Sequence, residues 1–237
     1  MIEVEGLTVR FGGVTSLDEM TVSFGAATCG LIGPNGAGKT TFFNVLSGFV
    51  APAAGQVTAF GQALLPMTHF RRVRWGLRRT FQTEQAIEQL SIFDNVVMVH
   101  EHTGQPRSTR RKDVLEAVEF VGLEADPRTA VGTLGARDRR LVEVARVVVG
   151  NPRVVLLDEP AAGLPEEETE HMGQIIRRIP EIGAMAILVD HDMSLVSACC
   201  DVTTVLDFGK VIASGPTAEV LRDERVVRAY IGTEEQL

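Results

Sequence analysis

Gly33, Pro34, Asn35, Gly36, Ala37, Gly38, Lys39, Thr40 and Thr41 stand in the order glycine, four residues, Gly-Lys, then hydroxyl residues. Each type has a chemical reason to be there. Glycines let successive backbone N–H groups turn inward around an anion, where side chains would obstruct. Lys39 adds a point charge for terminal phosphates, and the Thr40 hydroxyl can ligate a magnesium ion. The run predicts a site for a nucleoside triphosphate; its alternative is a glycine-rich turn without a ligand. The flanks favour the phosphate reading. Ala27 to Ile32 is a short, mostly apolar run of the kind a buried strand makes. Thr41 to Ser47 reads as a helix closed by Gly48, whose positive N-terminal end would face the phosphates.

A second constellation supplies acids. Val154-Val155-Leu156-Leu157 runs into Asp158-Glu159-Pro160. Consecutive apolar residues predict a strand buried on both faces, hence a parallel sheet covered by helices. Carboxylates at its C-terminal tip lie where α/β folds bind ligands. Asp158 is expected to hold magnesium, directly or through water, and Glu159 to polarise an attacking water. Ala184 to Val189 reads as another buried strand ending in Asp190-His191-Asp192, and His191 at that tip could touch a terminal phosphate.

The elements that must position these groups can be read in order. Ile2 to Phe11 alternates apolar and polar residues, as does Met20 to Phe24, which predicts an antiparallel pair beside the nucleotide core. Phe11 could present its ring to an adenine base or pack in the core. Gly55 to Phe60 reads as a strand. Arg71, Arg72, Arg74, Arg78 and Arg79 form the densest basic cluster and read as a solvated face rather than a nucleic-acid surface. From Thr83 to about Gly150 the pattern is mainly helical, with Val114, Leu115, Val118 and Val121 on one face behind Asp113 as N-cap. Gln105 to Lys112 reads as a polar, basic loop. His100 and His102 resemble half a metal site, without further ligand types nearby. Arg139 to Val149 is expected to be a helix, and Pro165 opens another that runs to about Ile179. Thr203 to Ala213 reads as a hairpin turning at Phe208-Gly209, followed by a helical stretch from Thr217 to Tyr230.

Composition bounds the function class. Among 237 residues, 31 acidic against 23 basic side chains leave a net charge of −8, which disfavours wholesale binding to nucleic acid or an anionic bilayer. No apolar run reaches the length of a membrane span. The opening Met1-Ile2-Glu3-Val4-Glu5 lacks the regions of a signal peptide. Cys29, Cys199 and Cys200 make no disulfide framework and suit a reducing cytosol as small buried residues. The expectation is a soluble cytoplasmic protein, without direct membrane insertion, that reaches a membrane only through a partner.

Taken together, these residues resemble the ATP-binding subunit of an ABC transporter over about residues 2 to 232. The phosphate loop, Gln82, the strand into Asp158-Glu159-Pro160 and His191 occur in that family's order. Phe11-Gly12-Gly13, Arg79-Thr80-Phe81-Gln82, Glu159 to Leu164, His191-Asp192-Met193 and Ala229-Tyr230-Ile231-Gly232 look like importers of branched-chain amino acids and related amides or urea. The resemblance implies an α/β fold: a RecA-like ATPase core, residues 1–82 and 150–237, with an N-terminal antiparallel β portion and an inserted helical lobe, residues 83–149. It implies ATP and Mg2+ as cofactors and a head-to-tail dimer of ATPase subunits, homomeric or heteromeric. Transmembrane permease subunits would hold it peripherally on the inner face of the membrane. By position, Phe11 would stack on adenine, Gln82 would sense magnesium and the attacking water, and His191 would contact the γ-phosphate.

The chain departs from the family at the signature loop. Where the family has Leu-Ser-Gly-Gly-Gln, this chain has Leu134-Gly135-Ala136-Arg137-Asp138. The serine hydroxyl is missing, and Arg137 replaces a glycine whose backbone approaches the γ-phosphate of the partner's site. Pro165 replaces the aspartate or asparagine usual after Pro160. Gly135, Ala136, Arg137 and Asp138 are still expected at the composite nucleotide site, with Arg137 obstructing it; the alternative is an arginine finger. The main functional expectation is the energy-coupling ATPase of an importer, and the alternative is a subunit that binds ATP, hydrolyses slowly and sets dimer geometry. Soluble ABC-type ATPases of translation or repair usually carry two cassettes or long coiled-coil insertions, which this chain lacks.

Overall fold

A computed structural model describes residues 1–234, with side chains through Tyr230. Residues 235–237 of the expected domain range, and the side chains of Ile231 and Gly232 in its C-terminal motif, lie outside the described residues. The chain divides into two compact units, Met1–Arg72 with Ile187–Leu237, and Val73–Ala186. The segment 83–149 falls wholly within the second.

In the first unit, β1 (Ile2–Phe11) and β2 (Val14–Phe24) pair antiparallel, with Ile2 opposite Phe24 and Val4 opposite Val22. The alternation has its predicted effect: Ile2, Val4, Leu7 and Val9 are buried. β3 (Thr28–Ile32) is buried along its length and delivers the chain to Gly33. Helix α1 (Lys39–Ser47) follows and ends at Gly48 with φ 81°, a left-handed C-cap suited to glycine. Phe42, Phe43, Val45 and Leu46 anchor α1, and the Phe42 ring stacks on Phe24 at a centroid distance of 5.6 Å. β4 (Ala54–Ala59) pairs with β1, and β5 (Gln62–Ala63) with β4, completing a sheet of order β2-β1-β4-β5.

Helix α2 (His69–Trp75) carries the first half of the basic cluster. The cluster is a solvated face only in part: Arg71 and Arg74 are exposed, whereas Arg72, Arg78 and Arg79 turn inward. Arg72 is buried, and its guanidinium donates to the carbonyls of Val45, of Leu46 at 2.8 Å and of Met67 at 3.1 Å. It satisfies the open carbonyls at the C-terminal end of α1, where a cation also suits the helix dipole.

The second unit opens with β6 (Leu77–Arg79). Arg78 is buried as well, with a guanidinium N–H on the Leu77 carbonyl at 3.2 Å, and burial pushes its pKa down to about 10. Helices α3 (Ile92–His100), α4 (Arg110–Phe120) and α5 (Ala136–Val148) follow. Three expectations need correction here. The N-cap of α4 is Thr109, not Asp113; the Asp113 N–H donates to the Thr109 carbonyl at 2.9 Å, one turn into the helix. Arg110 to Lys112 are helical, so the polar loop ends at Thr109. Leu115 stands exposed while Val114, Val118 and Val121 are buried. Asp113 instead pairs with the buried His100, Nε2 to Oδ2 at 2.8 Å. Helix α5 begins three residues before the expected Arg139.

β7 (Val154–Asp158) is buried throughout and runs parallel to β6, with Arg79 opposite Leu156. Helix α6 (Glu166–Arg178) starts after Pro165 with Glu166, Glu167 and Glu168 in its first turn, where acids complement the dipole. β8 (Met185–Val189) begins in this unit and its last residues belong to the first. There α7 (Met193–Cys199), β9 (Val202–Asp207), β10 (Lys210–Pro216), α8 (Thr217–Val220) and α9 (Glu224–Glu234) complete the chain. β9 is parallel to β3 and antiparallel to β10. Cys29, Cys199 and Cys200 are buried free thiols.

Candidate nucleotide site

The loop between β3 and α1 is held in a conformation that only glycine tolerates. Gly33 has φ 147°, and a Cβ there would lie 2.1 Å from the Leu206 carbonyl oxygen; at Gly38, with φ 107°, it would lie 2.6 Å from that of Ser16. Lys39 folds back so that its ammonium donates to the carbonyls of Gly33 at 2.5 Å and Pro34 at 2.9 Å. Thr40 is exposed at the start of α1, whereas the Thr41 hydroxyl is hydrogen-bonded to that of Ser16 at 2.7 Å. The hairpin tip also grips the loop. The Gly209 N–H donates to the Ala37 carbonyl at 3.0 Å, and the Gly209 carbonyl accepts from the Asp18 N–H at 3.0 Å. A sequence reading finds the hairpin at Phe208-Gly209 but not this grip, which depends on a backbone far away in the chain.

At the end of β7, both acids are engaged. Arg79 Nη2 donates to Asp158 Oδ2 at 2.8 Å, and Gln82 Nε2 to Glu159 Oε2 at 3.0 Å. The basic cluster conceals this pairing, because nothing local marks Arg79 as the partner of a residue so distant in sequence. Glu159 has φ 48°, the left-handed region that a non-glycine residue adopts only under constraint. The stretch after Gln82 is clasped by α5. Arg140 donates to the carbonyls of Gln82 at 3.5 Å and Ala162 at 3.2 Å, while the Gln85 N–H donates to Glu143 Oε1 at 2.8 Å. Arg139 Nε meets Glu84 Oε2 at 3.1 Å.

His191 follows β8 with its side chain 69% exposed and its Nδ1 3.7 Å from Asp190 Oδ1. Its backbone is fixed by the buried Asp190, whose Oδ1 accepts from the N–H groups of His191 at 2.8 Å and Asp192 at 3.0 Å. Asp192 then caps α7 through Ser194 and Leu195. The Phe11 ring is 52% exposed, so it is not a core residue. Gly135 is the N-cap of α5 with no side-chain cap bond, and Arg137 turns back on its own chain, 3.4 Å from His171 Nδ1.

The family model for ABC transporters matches residues 18–162, more than half of the chain. The chain belongs to the ABC transporter family, as an ATP-binding cassette. A second model, for branched-chain amino acid ATP-binding cassette transporters, matches residues 210–236 of the cassette. The cassette is 31% identical to the high-affinity branched-chain amino acid transport ATP-binding protein BraF of Pseudomonas aeruginosa, over 98% of each chain. It superposes with a TM-score of 0.88 and 25% identity on a crystal structure of an ABC transporter cassette in its ADP conformation, over 98% of each chain. It shares its fold with a dimeric bacterial ABC transporter cassette, TM-score 0.81 and 21% identity, over 92% of this chain and 99% of the other. The cassette is an ATPase that binds nucleotide. The expected α/β cassette fold, with its antiparallel N-terminal β portion, stands confirmed.

Proposed function

We propose that the cassette binds ATP at Gly33–Thr41 and hydrolyses it to power uptake of branched-chain amino acids or related small amides. The observation that carries this reading is the phosphate loop itself, with glycine conformations, a buried Lys39 and an exposed Thr40 at one helix N-terminus. The cargo rests on the match over residues 210–236 and on the likeness to BraF. The slow, geometry-setting subunit is the less favoured reading for a chain this close to a transport ATPase.

Phe11 would stack on adenine and Lys39 would turn from its loop carbonyls to the terminal phosphates. Glu159 would orient or deprotonate the attacking water, with Gln82 holding it until substrate is in place. His191 would contact the γ-phosphate. Thr40, Asp158 and the side chain of Gln82 carry oxygen donors of the kind magnesium takes and would be the residues to hold it. When bound, the ion supplies charge neutralisation at the phosphates. The helical segment 83–149 would bring Gly135, Ala136, Arg137 and Asp138 to the nucleotide of a second cassette, identical or different. No helix among the described residues is long and apolar enough to cross a membrane. Attachment to the inner face would therefore run through permease subunits. ATPase rates of wild type and Glu159→Gln in the assembled transporter test the reading; equal rates would refute it.

A further inference from the structure

Asp158 is held by residues at and just after the end of β6. Arg79 Nη2 holds its Oδ2 at 2.8 Å with only 5% and 7% of the two side chains exposed. The Asp158 N–H donates to the Thr80 hydroxyl at 2.9 Å, and the Thr80 N–H to the Leu156 carbonyl at 2.9 Å. The Arg79 guanidinium lies over the Phe81 ring, 5.0 Å from its centroid, within cation–π range. Residues 79 to 81 thus set the backbone of Asp158, one of its oxygens and the cation on that oxygen.

Packing is a poor explanation for this arrangement. An enclosed ion pair gains little stability over apolar residues of the same volume, because desolvation offsets its attraction. The contact is also single, Nη2 to Oδ2, although arginine often engages both oxygens of a carboxylate. A grip on one oxygen fixes the direction in which the other points. Metal-binding carboxylates are held in this way by outer hydrogen bonds that orient them.

We propose that Arg79 is a positioning residue for the magnesium ion, tying Oδ2 of Asp158 so that Oδ1 is presented to the cation. This rests on the reading of Asp158 as the metal-holding carboxylate. Fluorescent-ATP titrations in EDTA and over a Mg2+ series, with Mn2+ binding followed by electron paramagnetic resonance, separate cation affinity from nucleotide affinity. Arg79→Gln is expected to weaken cation affinity about tenfold or more, as loss of an outer partner does, with ATP affinity in EDTA unchanged. Arg79→Lys should recover part of the loss. Should the glutamine variant not fold, Arg79→Met fills the enclosed volume without a polar group and carries the same expectation. Unchanged or tighter cation binding overturns the proposal, the latter marking Arg79 as a competitor of the ion. A parallel fall of ATP affinity in EDTA also overturns it, as a merely structural lesion. Asp158→Asn distinguishes the two levels. If it leaves cation affinity intact, the assignment of Asp158 fails; if it lowers that affinity while Arg79→Gln does not, only the role of Arg79 fails.

Discussion

The side-chain amide of Gln82 donates to Glu159 at 3.0 Å, so the residue expected to sense the water already holds the residue expected to activate it. Glu159 stands at φ 48°, a backbone that costs free energy and persists only where surroundings impose it. Glu159→Gln keeps the shape and removes the proposed base. ATP binding should persist and turnover should fall at least about a hundredfold, in line with loss of general-base assistance. Light scattering should show dimers stabilised by ATP. Normal turnover would move the catalytic role to His191.

Lys39 is proposed to serve two partners in turn. Its ammonium now caps the carbonyls of Gly33 and Pro34, which closes the loop on itself. Phosphate oxygens would draw the same donors away. Lys39→Ala should therefore weaken ATP binding severely while the fold survives, because α1 keeps its apolar anchors. Fluorescent-nucleotide titration alongside circular dichroism checks both halves; unchanged affinity would remove Lys39 from the site.

Cys29 is buried, and burial pushes its thiol up to about 11 from an ordinary 9.0. The fold thus favours the protonated form. This contribution is complete below the unfolded value and is lost as pH rises through the folded one. Between about pH 9 and 11 the loss approaches roughly 2–3 kcal/mol for a shift of this size. Urea denaturation of wild type and Cys29→Ala across that range measures it. The wild type should lose more stability than the variant; parallel losses would place the sensitivity elsewhere.

The phosphate loop, the acid pair and the strand alternation were legible because each is a local pattern whose chemistry demands fixed residue types. The arginines were not. Composition sees Arg72, Arg78 and Arg79 as charge, yet Arg72 ends on the carbonyls of α1 and Arg79 on Asp158. Whether a guanidinium meets water or a buried oxygen is decided by which backbone arrives beside it, and that is a tertiary fact. Asp113 misled for a related reason. An acid before an apolar face resembles an N-cap, but Arg110, Arg111 and Lys112 are good helix formers and extend the helix back to Thr109. Asp113 then serves His100.

Arg137 poses a competition between obstruction and catalysis. Its guanidinium rests 3.4 Å from His171 Nδ1 and 3.8 Å from Asp138 Oδ1, with 41% of the side chain exposed. Contacts this open hold weakly, so the arm can leave them. A helix N-terminus that meets an anion needs bare N–H groups, and a long side chain there would hold a second cassette off. A finger is usually delivered from a loop with room to retract, whereas Arg137 lies in the first turn of α5. Obstruction is the expected outcome. In a heteromeric pair, the site containing Arg137 should be slow and the other fast. Arg137→Gly with Gly135→Ser should raise turnover per dimer about tenfold, equivalent to roughly 1.4 kcal/mol off the barrier. The new serine would also cap α5, which now lacks a side-chain cap, for a few tenths of a kcal/mol. Steady-state ATPase assays with analytical ultracentrifugation decide it. Should the double variant bind ATP, dimerise and yet lose activity, Arg137 is the catalytic cation and obstruction is wrong.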